Sequence, residues 1–265
     1  MMHAKRWLLG GLMLLLAGAA QASMVAKPVS WTLDGKTFDS VLVYDDATTA
    51  KRPGLVMVPN WYGVNDMAIA KAKMIAGSDY VILLTDMYGK GVRPTSDEQA
   101  GAAVKPLYAD RSIMRGRAVR ALAELKAQAG KAPIDTTRLA AIGFCFGGSA
   151  VLDLARSGAD IASVVTFHGI LSTDDASLAK NIKARVLVLT GADDTSVPAE
   201  QKQAFEKEMS DAKVDWSLVD YSDTVHCFTE KEATGKMGNC RYNEKSARRA
   251  YRQMHEWLHD SFARD

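Results

Sequence analysis

From residue 30 onward, short apolar runs rich in β-branched residues alternate with longer stretches whose apolar positions recur at helical spacing. Trp31–Phe38 and Val41–Tyr44 are predicted as an opening hairpin. Gly54–Val58, Tyr80–Thr85, Arg138–Phe144, Ile161–His168, Arg185–Gly191 and Val214–Tyr221 are predicted as successive buried strands. Between them, Asp66–Ala76, Asp110–Ala129, Gly148–Arg156, Ala199–Ser210 and Glu244–Phe262 carry the pattern of amphipathic helices. Strands that alternate with helices imply α/β layering around a mostly parallel sheet of about eight strands. The chain has no internal repeat, low-complexity tract or Pro/Gly-rich linker, so one domain is expected.

The start of the chain does not belong to that pattern. Lys5 and Arg6 precede an apolar run from Trp7 to Ala20, and Ala20-Gln21-Ala22 follows, the three-part pattern of a secretory signal peptide. Cleavage after Ala22 is expected, leaving a single domain over 23–265 with no stable membrane anchor, exported to the periplasm or secreted; an uncleaved anchor is the alternative. The whole chain carries 33 basic and 31 acidic residues. Without residues 1–22 the two counts are equal at 31, and no run of like charge suggests a nucleic-acid partner. With 48% hydrophobic and 24% charged residues, the composition excludes a disordered chain or a collagen-like repeat.

Export also changes the reading of the three cysteines, because paired thiols persist in an oxidising compartment. Of the three possible pairings, Cys227 with Cys240 is expected, since the intervening Thr234-Gly235-Lys236-Met237-Gly238-Asn239 stretch can turn the chain back. Closing that loop would contribute about 3 kcal/mol in the chain-entropy account. Cys145 would then be free.

Cys145 stands at a distinctive place. Leu139-Ala140-Ala141-Ile142 runs into Gly143-Phe144-Cys145-Phe146-Gly147-Gly148 and then into the helix-like Ser149–Leu154. A strand, a tight turn and a helix with small residues two before and two after the centre is what a strained nucleophile elbow requires. A cysteine there meets the positive end of the helix dipole, which favours thiolate. An acid and a histidine follow in the chain order of α/β-hydrolases. Asp194 lies in Gly191–Pro198 after the strand Val186–Thr190, and His226 follows the next strand through Tyr221–Val225.

These segments resemble the dienelactone hydrolase family within the α/β-hydrolase fold. Pro59–Asn65 is similar to its loop after the third strand, Thr85-Asp86-Met87-Tyr88 to its Asp-Leu-Tyr turn, Gly143–Gly148 to its cysteine elbow, and Gly191–Pro198 with His226 to its acid and base segments. The resemblance implies Cys145 as nucleophile, Asp194 as acid, His226 as base, and the backbone amides of Trp61 and Phe146 as oxyanion hole. It implies hydrolysis of a small ester or lactone through a thioester, with no metal or organic cofactor. Asn60, Tyr62 and Tyr88, together with Trp61 and Phe146, are candidates to line the substrate pocket. The chain departs from the family pattern where a glutamate contacts the resting cysteine, having Asn60 there. It departs again where Ser and Arg grip a substrate carboxylate, having Cys227 and Glu230.

Two other readings compete. His255-Glu256-Trp257-Leu258-His259 matches the H-E-x-x-H zinc-peptidase pattern, but the apolar stripe Ala247, Ala250, Met254, Leu258 puts both histidines at its edge and Glu256 nearly opposite. A periplasmic small-molecule-binding protein on a degenerate hydrolase fold is the second, motivated by Asn60. His168 is expected to pack at a strand end, and Arg115, Arg117, Arg120 and Glu124 to form a solvated helix face.

Overall fold

A computed structural model of the chain describes residues 24–263; the expected signal segment 1–22 lies outside them. The chain enters through a hairpin of β1 (Met24–Leu33) and β2 (Lys36–Asp45), paired in register from Met24↔Asp45 to Leu33↔Lys36. Asp34 and Gly35 form the two-residue connection with φ of 48° and 74°, the doubly positive φ that a tight hairpin needs. The expected strand Trp31–Phe38 is therefore not one strand. The chain reverses inside it, and Trp31 and Phe38 become cross-strand partners with rings stacked 4.2 Å apart.

The remaining elements are β3 (Arg52–Val58), α1 (Asp66–Ala76), β4 (Val81–Leu84), α2 (Asp97–Ala109), α3 (Arg111–Ala127), β5 (Ile134–Phe144), α4 (Phe146–Arg156), β6 (Ser163–Phe167), β7 (Arg185–Gly191), α5 (Ala199–Asp211), β8 (Trp216–Tyr221) and α6 (Glu244–Phe262). They build one eight-stranded sheet in the order β1-β2-β4-β3-β5-β6-β7-β8. Only the β1–β2 and β2–β4 pairings are antiparallel. Strand residues alternate between the two faces. Val56, Leu139, Ala141 and Val164 join the apolar layer under α3, α4 and α5, while Leu55, Met57, Ala140 and Ile142 join the layer under α1 and α6. Because β4 and β5 lie on opposite sides of β3, the strand order reverses there, and the C-terminal ends of β3 and β5 flank the crevice where such sheets bind ligands.

Three further expectations change. Helix α2 falls where no element was expected. Pro106 inside it and its run of small residues hide the helical pattern, although Ser96, accepting from Gln99 N, and Gln99, accepting from Thr95 N, form a capping arrangement at its start. Strand β8 is half-buried rather than buried because it forms the sheet edge. The α3 face is not simply solvated. Arg117 donates to Met87 O at 2.6 Å and covers the Phe38 ring, Arg120 covers the Trp31 ring and pairs with buried Glu124, and Arg115 reaches Asp153 and Asp174. The hairpin folds its aromatic rings against this face, and guanidinium groups pack flat on such rings.

Helices α3, α4 and α5 are joined by a buried ionic network. Arg156 donates from Nε and Nη2 to the two Glu208 carboxylate oxygens at 2.8 Å each and from Nη2 to Leu171 O at 3.0 Å. Asp153 accepts two bonds of 2.9 Å from Arg111 and one of 3.3 Å from Arg156. Removing Arg156 takes the counter-charge from buried Glu208, while Asp153 keeps Arg111. Arg156→Ala is expected to lower stability by about 3–5 kcal/mol, read as a fall in the urea midpoint at unchanged m-value.

Candidate active site

The turn between β5 and α4 places Cys145 at φ 53° and ψ −117°, a conformation that L-residues rarely adopt. Close packing holds it there. Cys145 N donates to Phe167 O at 3.0 Å. A Cβ on Gly143 would lie 2.0 Å from Gly147 O, and one on Gly147 would lie 2.1 Å from Val58 O, so both positions exclude any side chain. The second contact presses the elbow against the end of β3, where the loop carrying Asn60, Trp61 and Tyr62 begins.

His226 Nε2 lies 3.2 Å from Cys145 Sγ, and its Nδ1 lies 2.7 Å from Asp194 Oδ2. The three residues expected from the sequence are thus in one hydrogen-bonded line. Asp194 hangs from the end of β7 and His226 from the loop after β8. The two loops cross closely enough that a Cβ on Gly191 would meet Thr224 O at 2.1 Å. Asp194 and His226 are both buried. Burial favours the neutral acid in Asp194, but His226, the Asn239 amide and the Ser196 N–H outweigh it and hold the carboxyl below its usual range. Burial likewise opposes a charged His226, yet the Cys145 charge and the Asp194 carboxylate outweigh it and push the ring up to about 10.

Asn239 is a site residue that sequence reasoning missed. Its Nδ2 donates to Asp194 Oδ1 at 3.0 Å and to Ser196 Oγ at 2.9 Å, while its Oδ1 accepts from Thr195 N at 3.1 Å. It precedes Cys240, which is bonded to Cys227 as expected. Arg241 N donates to His226 O at 3.0 Å. The disulfide therefore joins the residue after the histidine to the residue after the asparagine that orients the acid. The available signal was the expected Cys227–Cys240 pairing itself, which brings Asn239 beside His226.

Cys145 opens into a cavity of about 1050 Å³, lined in part by Asn60, Trp61, Tyr62, Lys71 and Glu230. That volume holds a drug-sized molecule. Tyr88 and Phe146 do not line it. Both are buried behind the loop, their rings 5.6 Å apart, and Tyr88 Oη donates to Trp61 O at 2.8 Å. They support Trp61 because α4 turns the Phe146 side chain into the core. Asn60 Nδ2 donates to Glu230 Oε2 at 2.7 Å and Asn60 Oδ1 accepts from Tyr62 N at 3.1 Å.

His168 packs at a strand end as expected, fully buried at φ 41°, with Nε2 2.8 Å from Thr229 Oγ1 and its ring edge-on to His226 at 5.0 Å. Burial, followed by the charges of His226 and Lys71, keeps it neutral far below the usual imidazole range. The residues of the H-E-x-x-H pattern do not converge. His255 stacks on Tyr80, whereas the His259 side chain is 83% exposed beside Asp260 and Glu256 reaches toward Arg252.

A cysteine elbow, an acid after one strand and a histidine after the next, on an eight-stranded mostly parallel sheet, define an α/β-hydrolase. Residues 38–262 match the Dienelactone hydrolase family, and the chain belongs to that family. It is an ester- or lactone-type hydrolase. Among curated relatives, it is 27% identical over 217 residues to the "Probable 2-oxo-3-(5-oxofuran-2-ylidene)propanoate lactonase" of Bradyrhizobium sp, covering 76% of this chain and 84% of that one. Among solved structures, it is similar to a dienelactone hydrolase-like promiscuous phosphotriesterase from metagenomic libraries, at 33% identity and TM-score 0.86, covering 92% of this chain and all (100%) of that one. Dienelactone hydrolase from Anabaena variabilis shares the fold at 17% identity and TM-score 0.65, covering 89% and 98% of the two chains.

The His226 environment gives a direct test by NMR. The ring is expected to stay protonated through pH 8 and to titrate near 10. In Cys145→Ala it should titrate lower, because the Cys145 charge is the largest upward contribution. Since the folded value exceeds the free one of 6.5, the stability this ring contributes is complete below pH 6.5 and lost as pH rises through about 10.

Proposed function

We propose that this protein hydrolyses carboxylic esters or lactones through Cys145 as nucleophile, His226 as acid and base, and Asp194 as the acid that orients the histidine. The observation that carries this reading is the continuous Cys145–His226–Asp194 line opening into a cavity. The Cys145 thiolate adds to the ester carbonyl carbon, and the carbonyl electron pair moves onto oxygen. Trp61 N, on the loop after β3, and Phe146 N, at the start of α4, serve as oxyanion donors, each worth about 3 kcal/mol when well aimed. Collapse of the tetrahedral adduct expels the alcohol, which takes its proton from His226 Nε2 and leaves a thioester. The neutral histidine then removes a proton from water, hydroxide adds to the thioester, and the acid is released as Cys145 regains its thiolate.

Asp194 keeps Nδ1 protonated, so that Nε2 faces the sulfur. With Asn60 bonded to Glu230, the part played by a carboxylate near the cysteine falls to His226, whose charge the Cys145 sulfur and Asp194 favour. Export is part of the reading. The leader pattern over residues 1–22 and the Cys227–Cys240 bond both suit a periplasmic or secreted protein. A purely ligand-binding role and a zinc peptidase are disfavoured by the aligned triad and by the outward course of His259.

The test is turnover of short aryl esters and lactones by the mature protein. Cys145→Ala should lose at least about a thousandfold in kcat, and Asp194→Asn about a hundredfold or more. His259→Ala and added chelator should leave turnover unchanged. Full activity in Cys145→Ala would overturn the mechanism, and ligand binding without turnover in any variant would favour the binding role. The 33%-identical solved relative is described as a phosphotriesterase, so an aryl phosphotriester belongs in the same panel.

A further inference from the structure

Lys71 projects from α1 to the wall of the cavity that holds Cys145, with its ammonium 4.3 Å from the centroid of Phe144, the residue before the nucleophile. Left alone, a largely buried cation in that place would be an anchor for a substrate carboxylate. It is not left alone. Glu230 Oε1 accepts from Lys71 and, at 3.2 Å, from Thr229 Oγ1, while Glu230 Oε2 accepts from Asn60 Nδ2 at 2.7 Å. The carboxylate is thus held by three donors and is itself largely buried, so it is a fixed part of the wall rather than a passing surface partner. Across the whole lining, four carboxylates face three ammonium groups, so no surplus of positive charge remains for an anion.

The mouth of the same cavity has a different character. Met67, Met74 and Met237 line it while 47%, 51% and 51% exposed, and these three account for half of the six large hydrophobic side chains exposed among the described residues. Exposed apolar groups gathered at one cleft mark a surface that meets an apolar ligand. Unbranched methionines also adapt to ligands of varied shape.

Resting on the hydrolase reading above, we infer that Glu230 sets the substrate class. By neutralising Lys71 it makes this a site for neutral esters or lactones with a bulky apolar substituent lying against the methionine rim, and it rejects substrates that bear a carboxylate near the reacting carbonyl. Lys71 is a latent carboxylate anchor that Glu230 masks.

The experiment compares two matched substrates, p-nitrophenyl pentanoate and the mono-p-nitrophenyl ester of glutaric acid, which differ by a terminal carboxylate. Wild type should prefer the neutral ester by at least about tenfold in kcat/KM. Glu230→Gln, which removes the charge and keeps an amide oxygen to accept from Lys71 and Thr229 while giving up the bond from Asn60, should shift the preference toward the carboxylate ester by about tenfold, mainly through KM. Lys71→Met added to Glu230→Gln should cancel that gain. Met67→Ser with Met237→Ser should raise KM for a p-nitrophenyl octanoate more than for the acetate. Equal use of the two matched esters by wild type would overturn the inference, and this comparison stands even if Glu230→Gln fails to fold. A Glu230→Gln variant that changes both substrates alike would overturn it too. If turnover depends on Cys145 and these preferences are absent, the substrate class alone is wrong; turnover that survives Cys145→Ala removes the hydrolase mechanism and this inference together.

Discussion

The structure depends on one steric constraint, the contact of the elbow glycines with the backbone around them. Cys145 can hold a positive φ only because Gly143 and Gly147 let the start of α4 close onto the end of β5 and onto Val58 at the end of β3. A side chain at Gly143 would push the start of α4 off β5, and one at Gly147 would separate α4 from the end of β3. The loop after β3 would then move away from Cys145, and the two backbone amides proposed as oxyanion donors would be drawn apart. Strain at one residue is maintained by packing across the centre of the sheet, where unfolding it would require opening the core.

A second organising element is the loop closed by Cys227 and Cys240. It carries Asn239, which orients Asp194, and Glu230, which neutralises Lys71, and it begins immediately after His226. One covalently closed segment therefore sets the acid's position, the histidine's backbone and the charge of the cavity wall. Two ionic lines run side by side here. In one, Cys145, His226 and Asp194 favour an imidazolium; in the other, Lys71 and Glu230 cancel. Neutral His168 lies between them, touching Thr229 on one side and His226 on the other.

The misreadings share a cause. Trp31–Phe38 reads as one strand because its apolar pattern continues through a turn, although the Asp34-Gly35 pair suits the positive φ of the reversal. Helix α2 is obscured by Pro106, which local propensity treats as a break although the helix continues around it. Tyr88 and Phe146 have the chemistry of pocket walls, but side-chain direction is decided by which face of α4 and of the loop after β4 meets the core. The arginines of α3 look solvated because a sequence cannot indicate that an aromatic hairpin folds onto them.

What the sequence by itself determined was local and periodic: the alternation of strand and helix, the Gly-x-Cys-x-Gly elbow, and the order of Cys145, Asp194 and His226. Each follows from short-range sterics or from the fixed tendency of parallel sheets to carry functional loops at their C-terminal edge. Tertiary structure alone decided which polar groups would neutralise one another. Asn60, Lys71 and Glu230 lie on three segments separated by up to 170 residues, and Asn239 meets Asp194 across 45. Contacts of that range depend on the angle at which α1 and the disulfide-closed loop pack over the sheet. That angle is set by the volumes of buried side chains on both faces and leaves no periodic trace along the chain.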